Sequence, residues 1–190
     1  MGDPSDKKDY VEFNRLIYLT GVIDEKKVEN VVGRLLSYEC QDPTKDIIMF
    51  IDSYGGIVDS FVSIHDAMKM LRCDVATVCI GKAMSCAQML LISGTKGKRF
   101  MTPNSRVMIH EINSGMEGKI TNIENDVSEV KRMQKHIVER LILKYTTITK
   151  DHLTKIIGKD KYFTANDCLK YGIVDHIMDK PSTLYNRIKL

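Results

Sequence analysis

The chain alternates short, dense apolar runs with longer stretches in which apolar residues return at every third or fourth position. Residues 16–19, 47–52, 75–80 and 106–110 have the length and composition of strands. Between them, Val28, Val31, Val32, Leu35 and Leu36 share a helix face that Asp24 is placed to cap. Ile57, Ser60, Phe61, Ile64, His65, Met68 and Leu71 recur at helical spacing, and Met89, Leu90 and Leu91 suit another helix. Ile120, Ile123, Val127, Val130, Ile137 and Leu141 form the longest stripe, and Thr121-Asn-Ile-Glu124 has the form of a capping box opening it. Running to Tyr145, that helix would span roughly 35–40 Å at 1.5 Å per residue. Thr164-Ala-Asn-Asp167 caps a last short helix that Gly172 ends. This order of elements predicts an α/β fold.

Two strand–turn–helix junctions carry the candidate chemistry. One holds Ser53-Tyr54-Gly55-Gly56, where paired glycines allow positive φ and let a ligand's carbonyl meet bare amides. The other is Gly81-Lys-Ala-Met-Ser85-Cys-Ala87, which places Ser85 between an apolar strand and an apolar helix. A serine there can act as a nucleophile beside unpaired helix amides, or can simply cap the helix. His110 closes the 106–110 run, 25 residues after Ser85. His65 and His136 fall in helical patterns, His152 near a helix start and His176 beside the last apolar segment. In open α/β sheets ligands collect at the carboxyl ends of strands, where Ser85, His110 and the glycines would meet. An imidazole there can take the serine's proton and return it to a leaving amine if a carboxylate fixes its tautomer. Asp151, Asp160, Asp167 and Asp175 are all available, and periodicity does not choose among them.

Gly55-Gly56, Ala83-Met-Ser85-Cys-Ala87, Gly97-Lys-Arg-Phe100, Pro103-Asn-Ser-Arg-Val-Met-Ile-His110 and Tyr171-Gly-Ile-Val-Asp175 occur in the order found in ClpP, the proteolytic subunit family of the Clp protease. The resemblance runs from about Arg15 to about Asp179. It implies a crotonase-type fold of repeated ββα units with a protruding handle helix. The peptidase domain would cover 15–179 and the handle about 111–145. Residues 1–14 would be a trimmed, polar N-terminal segment and 180–190 a loose C-terminal extension. The resemblance also implies a Ser-His-Asp endopeptidase with Ser85 as nucleophile, His110 as base and Asp160 as the third member. Asp160 follows from the match of Lys159-Asp160-Lys161-Tyr162-Phe163 to the family's Arg-Asp-Arg-Phe. The implied oxyanion donors are the amides of Gly56 and Cys86. The implied substrate groove is Gly55, Gly56, Ile57 and Val58 on one side and Ile112, Asn113, Ser114 and Gly115 on the other. Unfolded polypeptides would be cut inside two stacked heptameric rings, fed by a separate Clp-type AAA+ unfoldase, with no metal or cofactor.

Three positions depart from the family pattern. Tyr54 stands where a proline is usual, Glu111-Ile112 replaces Gln-Pro, and Gly158-Lys159 replaces an Asp-Arg pair that links assembly to activity. A lysine keeps the charge but cannot fork two hydrogen bonds to a carboxylate. Two further readings stand beside the peptidase. One is a non-catalytic or weakly active subunit of a mixed ring, and the other a crotonase-type acyl-CoA enzyme, whose chemistry needs no Ser85–His110 pair.

Composition narrows the field further. A formal charge of +3 and a pI near 8.5 are too mild to imply a nucleic-acid partner, and Lys96-Gly-Lys98-Arg99 reads as a solvated turn. Five cysteines, without a Cys-x-x-Cys pair, argue against a zinc site or disulfide framework and for a reducing compartment. Cys86 would point away from the histidine that its neighbour Ser85 faces. Residues 75–93 are mostly apolar, but Lys82 divides them into strand plus helix rather than a membrane span. Lysine far outnumbers arginine, a bias that fits an AT-rich genome and a plastid or apicoplast interior; a mitochondrial matrix or bacterial cytoplasm would also be reducing.

Overall fold

The structure, a computed structural model, describes residues 15–189. The expected N-terminal segment 1–14 lies outside them. Three strand–helix units come first. They are β1 (Leu16–Ile23) with α1 (Glu25–Gln41), β2 (Ile47–Gly56) with α2 (Val58–Met70), and β3 (Val75–Met84) with α3 (Cys86–Ile92). Asp24 caps α1, its side chain accepting from Lys27 N–H at 2.9 Å. Two short strands follow, β4 (Arg99–Met101) and β5 (Arg106–Ile109).

The strands run longer than their apolar runs because polar and glycine residues continue the ladder past each core-facing stretch. β1, β2, β3, β4 and β7 (His176–Ile177) form a parallel array in that order. The register slips between Thr20 and Val22 of β1 and between Ile51 and Ser53 of β2. Each slip changes the pairing partway along a strand that stays continuous. β3 shows the consequence: Thr77, Val78 and Cys79 pair with β4, whereas Lys82, Ala83 and Met84 pair with β5. β5 also pairs antiparallel with β6 (Lys161–Phe163).

Side chains alternate across this sheet, as period-two geometry requires. Ile47, Met49 and Ile51 enter the main core with Phe61 and Ile64 of α2 and Leu90 of α3. Ile48, Ala76, Val78 and Phe100 face the other way and pack with Leu184. Leu184 belongs to α8 (Pro181–Tyr185), so the tail expected to be loose is folded onto the sheet. Asp46 and Lys189 hold it, exchanging a backbone bond of 2.8 Å and a Lys189 N–H to Asp46 carboxylate bond of 3.0 Å.

The long helix is present as α4 (Ile120–Met133), a π-helical stretch (Gln134–Glu139) and α5 (Arg140–Tyr145). Its predicted capping box does not form. The helix begins one residue before Thr121, with Lys119 at the N-cap and its carbonyl taking Asn122 and Ile123 N–H at 3.0 Å. Leu141 is buried, but no residue of α4 is, and Ile120 is 76% exposed. The chain then forms α6 (Lys150–Ile156), β6 and α7 (Ala165–Lys170), the last opened by the Thr164–Asp167 capping box.

Only the first half of the basic cluster, Lys96-Gly97, is a solvated turn. Arg99 is 1% exposed and forks onto Asp175, with Nε to Oδ2 at 2.9 Å and Nη2 to Oδ1 at 2.6 Å. Lys98 bonds Asp46 and Asp74, and Lys96 reaches Asp175 at 3.0 Å. These cations are spent on tying β4 to the ends of neighbouring strands.

Candidate active site

Ser85 sits at the break between β3 and α3 with φ 54° and ψ −127°, and is the one non-glycine at positive φ among the described residues. Such a conformation costs on the order of 1–3 kcal/mol and persists only where neighbours over-determine it. Here Ser85 N–H donates to Met108 O at 3.0 Å, and its carbonyl accepts from Met89 N–H at 3.2 Å. The backbone is thereby held from both sides, and the hydroxyl is free to leave the capping position. Ser85 makes no side-chain cap bond. Its Oγ lies instead 2.9 Å from His110 Nε2.

His110 follows β5 directly, so its ring stands at the end of a strand paired with β3. The other ring nitrogen, Nδ1, is 3.3 Å from Asp160 Oδ1. Asp160 immediately precedes β6, whose Lys161 pairs with Ile109 in the antiparallel ladder, and this carries its carboxylate to the imidazole. The remaining candidates are engaged elsewhere. Asp167 caps α7, Asp175 is clasped by Arg99, and Asp151 is exposed in the first turn of α6.

Gly55 and Gly56 end β2 rather than forming a separate turn. A Cβ on Gly55, at φ +103°, would lie 2.7 Å from Met84 O and 2.8 Å from Ser85 Cβ. One on Gly56 would lie 2.3 Å from Ile23 O. Both positions need glycine because backbone or Ser85 itself occupies the space. Ile57 N–H donates to Ile23 O at 2.9 Å, so alternation along the chain turns the Gly56 amide the other way. Cys86 opens α3, where a first-turn amide has no intrahelical acceptor. Its thiol bonds Gly56 O at 3.3 Å, tying the two amide-bearing residues together. Burial pushes that thiol's pKa up, which leaves it a poor nucleophile.

Where proline was expected, Tyr54 is 69% exposed, with the Lys82 ammonium 4.5 Å from its ring centre. Lys82 bonds Asp52 at 2.7 Å, and Ser53 Oγ accepts from Gly55 N–H at 3.0 Å while donating to Gly21 O. Side-chain bonds thus stand in for the ring that would fix this corner.

A cavity opens beside Ser85. Gly56, Val58, Ile112 and Asn113 of the expected groove line it with Ser85, Cys86 and His110; Gly55, Ile57, Ser114 and Gly115 do not. Glu111 and five residues not named as site residues from the sequence, Phe61, Gln88, Met89, Val138 and Ile142, complete the wall. Gln134 was also missed: its Oε1 accepts from Ile112 N–H at 2.9 Å and holds the edge of the groove. A lone glutamine within the apolar run 87–92 was the available signal for Gln88. Among the described residues no three His, Cys, Asp or Glu side chains gather to hold a metal, and no helix is long and apolar enough to cross a membrane.

Comparison with known proteins gives this geometry its context. The sequence pattern of the Clp protease family matches residues 5–181. The chain is 38% identical to the ATP-dependent Clp protease proteolytic subunit 3 of Nocardia farcinica over 167 residues, covering 87% of this chain and 75% of that one. The chain belongs to the Clp protease family. It is therefore a protease, and its parallel sheet with flanking helices is the fold of that family. Members of the Clp protease family assemble into oligomers and work with Clp ATPases.

Proposed function

We propose that Ser85, His110 and Asp160 are the catalytic triad of an endopeptidase that cleaves unfolded polypeptides. The observation that carries this reading is His110 standing between two partners, Ser85 Oγ on Nε2 and Asp160 on Nδ1. With the proton on Nδ1 facing Asp160, Nε2 accepts from the Ser85 hydroxyl and takes its proton as Oγ attacks a peptide carbonyl. The amides of Gly56 and Cys86 receive the developing oxyanion. His110 then protonates the leaving amine, and a water activated the same way releases the acyl group. The substrate lies extended between Gly56–Val58 and the 112–115 segment, adding a strand.

The chamber belongs to the same proposal. Ile123, Val127, Val130 and Ile137 are only partly covered within one chain, which supports a handle that packs against an opposing ring. Two stacked heptameric rings would enclose the sites, and a separate AAA+ unfoldase would feed them; the relative's designation as ATP-dependent supports the latter. One observation favours low activity in an unassembled chain. The Asp160 side chain is 59% exposed, beside Gly158-Lys159 rather than an Asp-Arg pair. A reducing organelle interior, such as a plastid, fits the cysteine usage and lysine bias.

Treatment with a fluorophosphonate probe, followed by intact-mass analysis and sedimentation of the same sample, tests the reading. One adduct per chain, on Ser85, in a species of double-ring mass is expected. Adducts that persist in Ser85→Ala, or an unlabelled parent, would overturn it.

A further inference from the structure

α3 starts beside Ser85 and ends at Ile92, and at this far end a second cavity of about 550 Å³ opens. It shares no lining residue with the reaction cavity. Lys69 in the last turn of α2, Lys144 in the last turn of α5, and Lys96 and Arg99 around the start of β4 all line it. Arg99 and Lys96 are matched by Asp175. Lys69 and Lys144 are not: among the described residues neither ammonium has a carboxylate within ion-pair distance. Both instead lie over the ring of Tyr145, at 4.9 and 5.1 Å from its centre. Lys69 also donates to Ser93 O at the end of α3, whereas the Lys144 ammonium has no hydrogen-bond acceptor among the described residues. Burial, and then the Lys144 and Arg99 charges, press the Lys69 pKa below its ordinary value. The three helix C-termini offset part of the positive charge, each being equivalent to about half a negative charge. With Asp175 they still fall short of four cations. Like charges held together without a counter-ion repel, and a bound anion relieves that repulsion.

We propose that this hollow is a binding site for a dianionic phosphate group, carried either by inorganic phosphate or by a phosphate ester of a small molecule. The charge left over after Asp175 and the helix ends is between one and two, and a phosphate monoester carries about −1.5 to −2 near pH 7. Its three free oxygens can accept from the Lys69 and Lys144 ammoniums together, which a single carboxylate oxygen does less well. Lysine binds such a group as a point charge, without the forked geometry that Arg99 spends on Asp175. The volume lies in the range of small-molecule sites, with Ile92 and Tyr145 as an apolar flank for the body of an ester. The proposal stands apart from the triad, since no residue of the hollow enters it.

Equilibrium dialysis of the whole protein against radiolabelled inorganic phosphate and phenyl phosphate tests this. Ionic strength is held constant, and the pH is kept near 7.5, above the second phosphate pKa of about 6. One saturable site per chain is expected. Lys144→Gln should weaken binding about tenfold or more, the loss of one hydrogen bond to a charged group. Lys69→Gln should do the same, and it serves as a second variant should Lys144→Gln fail to fold. Lys26→Gln, in the exposed first turn of α1, removes the same charge elsewhere and should leave the affinity within about twofold. Tighter binding of phenyl phosphate than of phosphate supports an ester as the occupant, and equal binding supports free phosphate. Phenyl sulfate, with one charge fewer, should bind more weakly than phenyl phosphate. A parent without saturable binding, a Lys144→Gln affinity within about twofold of the parent's, a comparable loss in Lys26→Gln, or equal binding of phenyl sulfate would each overturn the proposal.

Discussion

Met84 of β3 and Met108 of β5 sit opposite each other in a parallel ladder, and this register brings Ser85 to His110. Ser85 follows Met84 and its amide bonds Met108 O, while His110 lies two residues beyond Met108. Sheet pairing thus supplies the alignment that a proton transfer over 2.9 Å requires. The third partner arrives by the same means, through the β5–β6 ladder.

Asp160→Asn should lower peptidase kcat/KM by about 10⁴, because the amide keeps the size but cannot stabilise the imidazolium and favours the wrong tautomer. Asp151→Asn and Asp167→Asn should leave turnover within a few-fold of the parent. Peptide hydrolysis by the folded variants decides it; comparable loss in either control would remove Asp160 from the triad.

Asp175 governs stability instead. Burial acts to raise its pKa, but the Arg99 hydrogen bonds and then Lys96 outweigh this and hold it well below the usual carboxylate range. A depressed folded-state pKa means the unfolded chain binds the proton more readily, so this stabilisation is present above about pH 4 and is lost as pH falls below it. Asp175→Asn leaves a buried guanidinium unpaired and should cost about 3–5 kcal/mol at pH 7. Its unfolding midpoint should also depend less on pH between about 4 and 2 than the parent's. Urea denaturation across that range measures both.

Gly55→Ala should damage the site more than the fold. The added carbon presses on Met84 O and Ser85 Cβ at a positive φ. It therefore displaces Ser85, the proposed nucleophile, and a shift of about 1 Å in such a group can cost on the order of 10² in rate. Fluorophosphonate labelling should slow accordingly in protein that still unfolds cooperatively. Gly56→Ala presses on the β1 backbone instead and should lower thermal stability as well.

Val130→Glu places a charge on the half-covered stripe of α4. Within one chain the change is tolerable, because the site is partly solvated. In a ring-to-ring contact it buries an unpaired carboxylate, so double rings should split or fail to form. Sedimentation velocity and peptide turnover should then fall together, and a variant that sediments and cleaves like the parent would argue against handle packing.

Much of this was legible from the chain. The helices of the first three units, the strands that precede them and the two chemical junctions follow from apolar spacing, because a core-facing stretch must repeat with its own element's period. Ser85, His110 and the glycine pair could be marked as candidates for the same reason: each stands where an apolar run stops. Asp160 could not. It sits in a polar loop with no periodicity around it, and only family likeness singled it out from four aspartates; the structure puts its carboxylate 3.3 Å from His110 Nδ1.

The errors share one cause. Lys98 and Arg99 read as solvated because charge implies water until a partner distant in sequence is known; Asp46, Asp74 and Asp175 supply those partners. The tail read as loose because five residues make a helix only when something covers it, and Leu184 finds the far face of the sheet. The Thr121 capping box failed because the helix starts one residue earlier, with Lys119 at the N-cap. Local pattern by itself determined which residues lie inside and where helices and strands run, since burial and hydrogen bonding repeat along the backbone. Tertiary structure alone decided that Ser85 serves His110 rather than its own helix. That choice depends on Met108 and Asp160, which no periodicity connects to either.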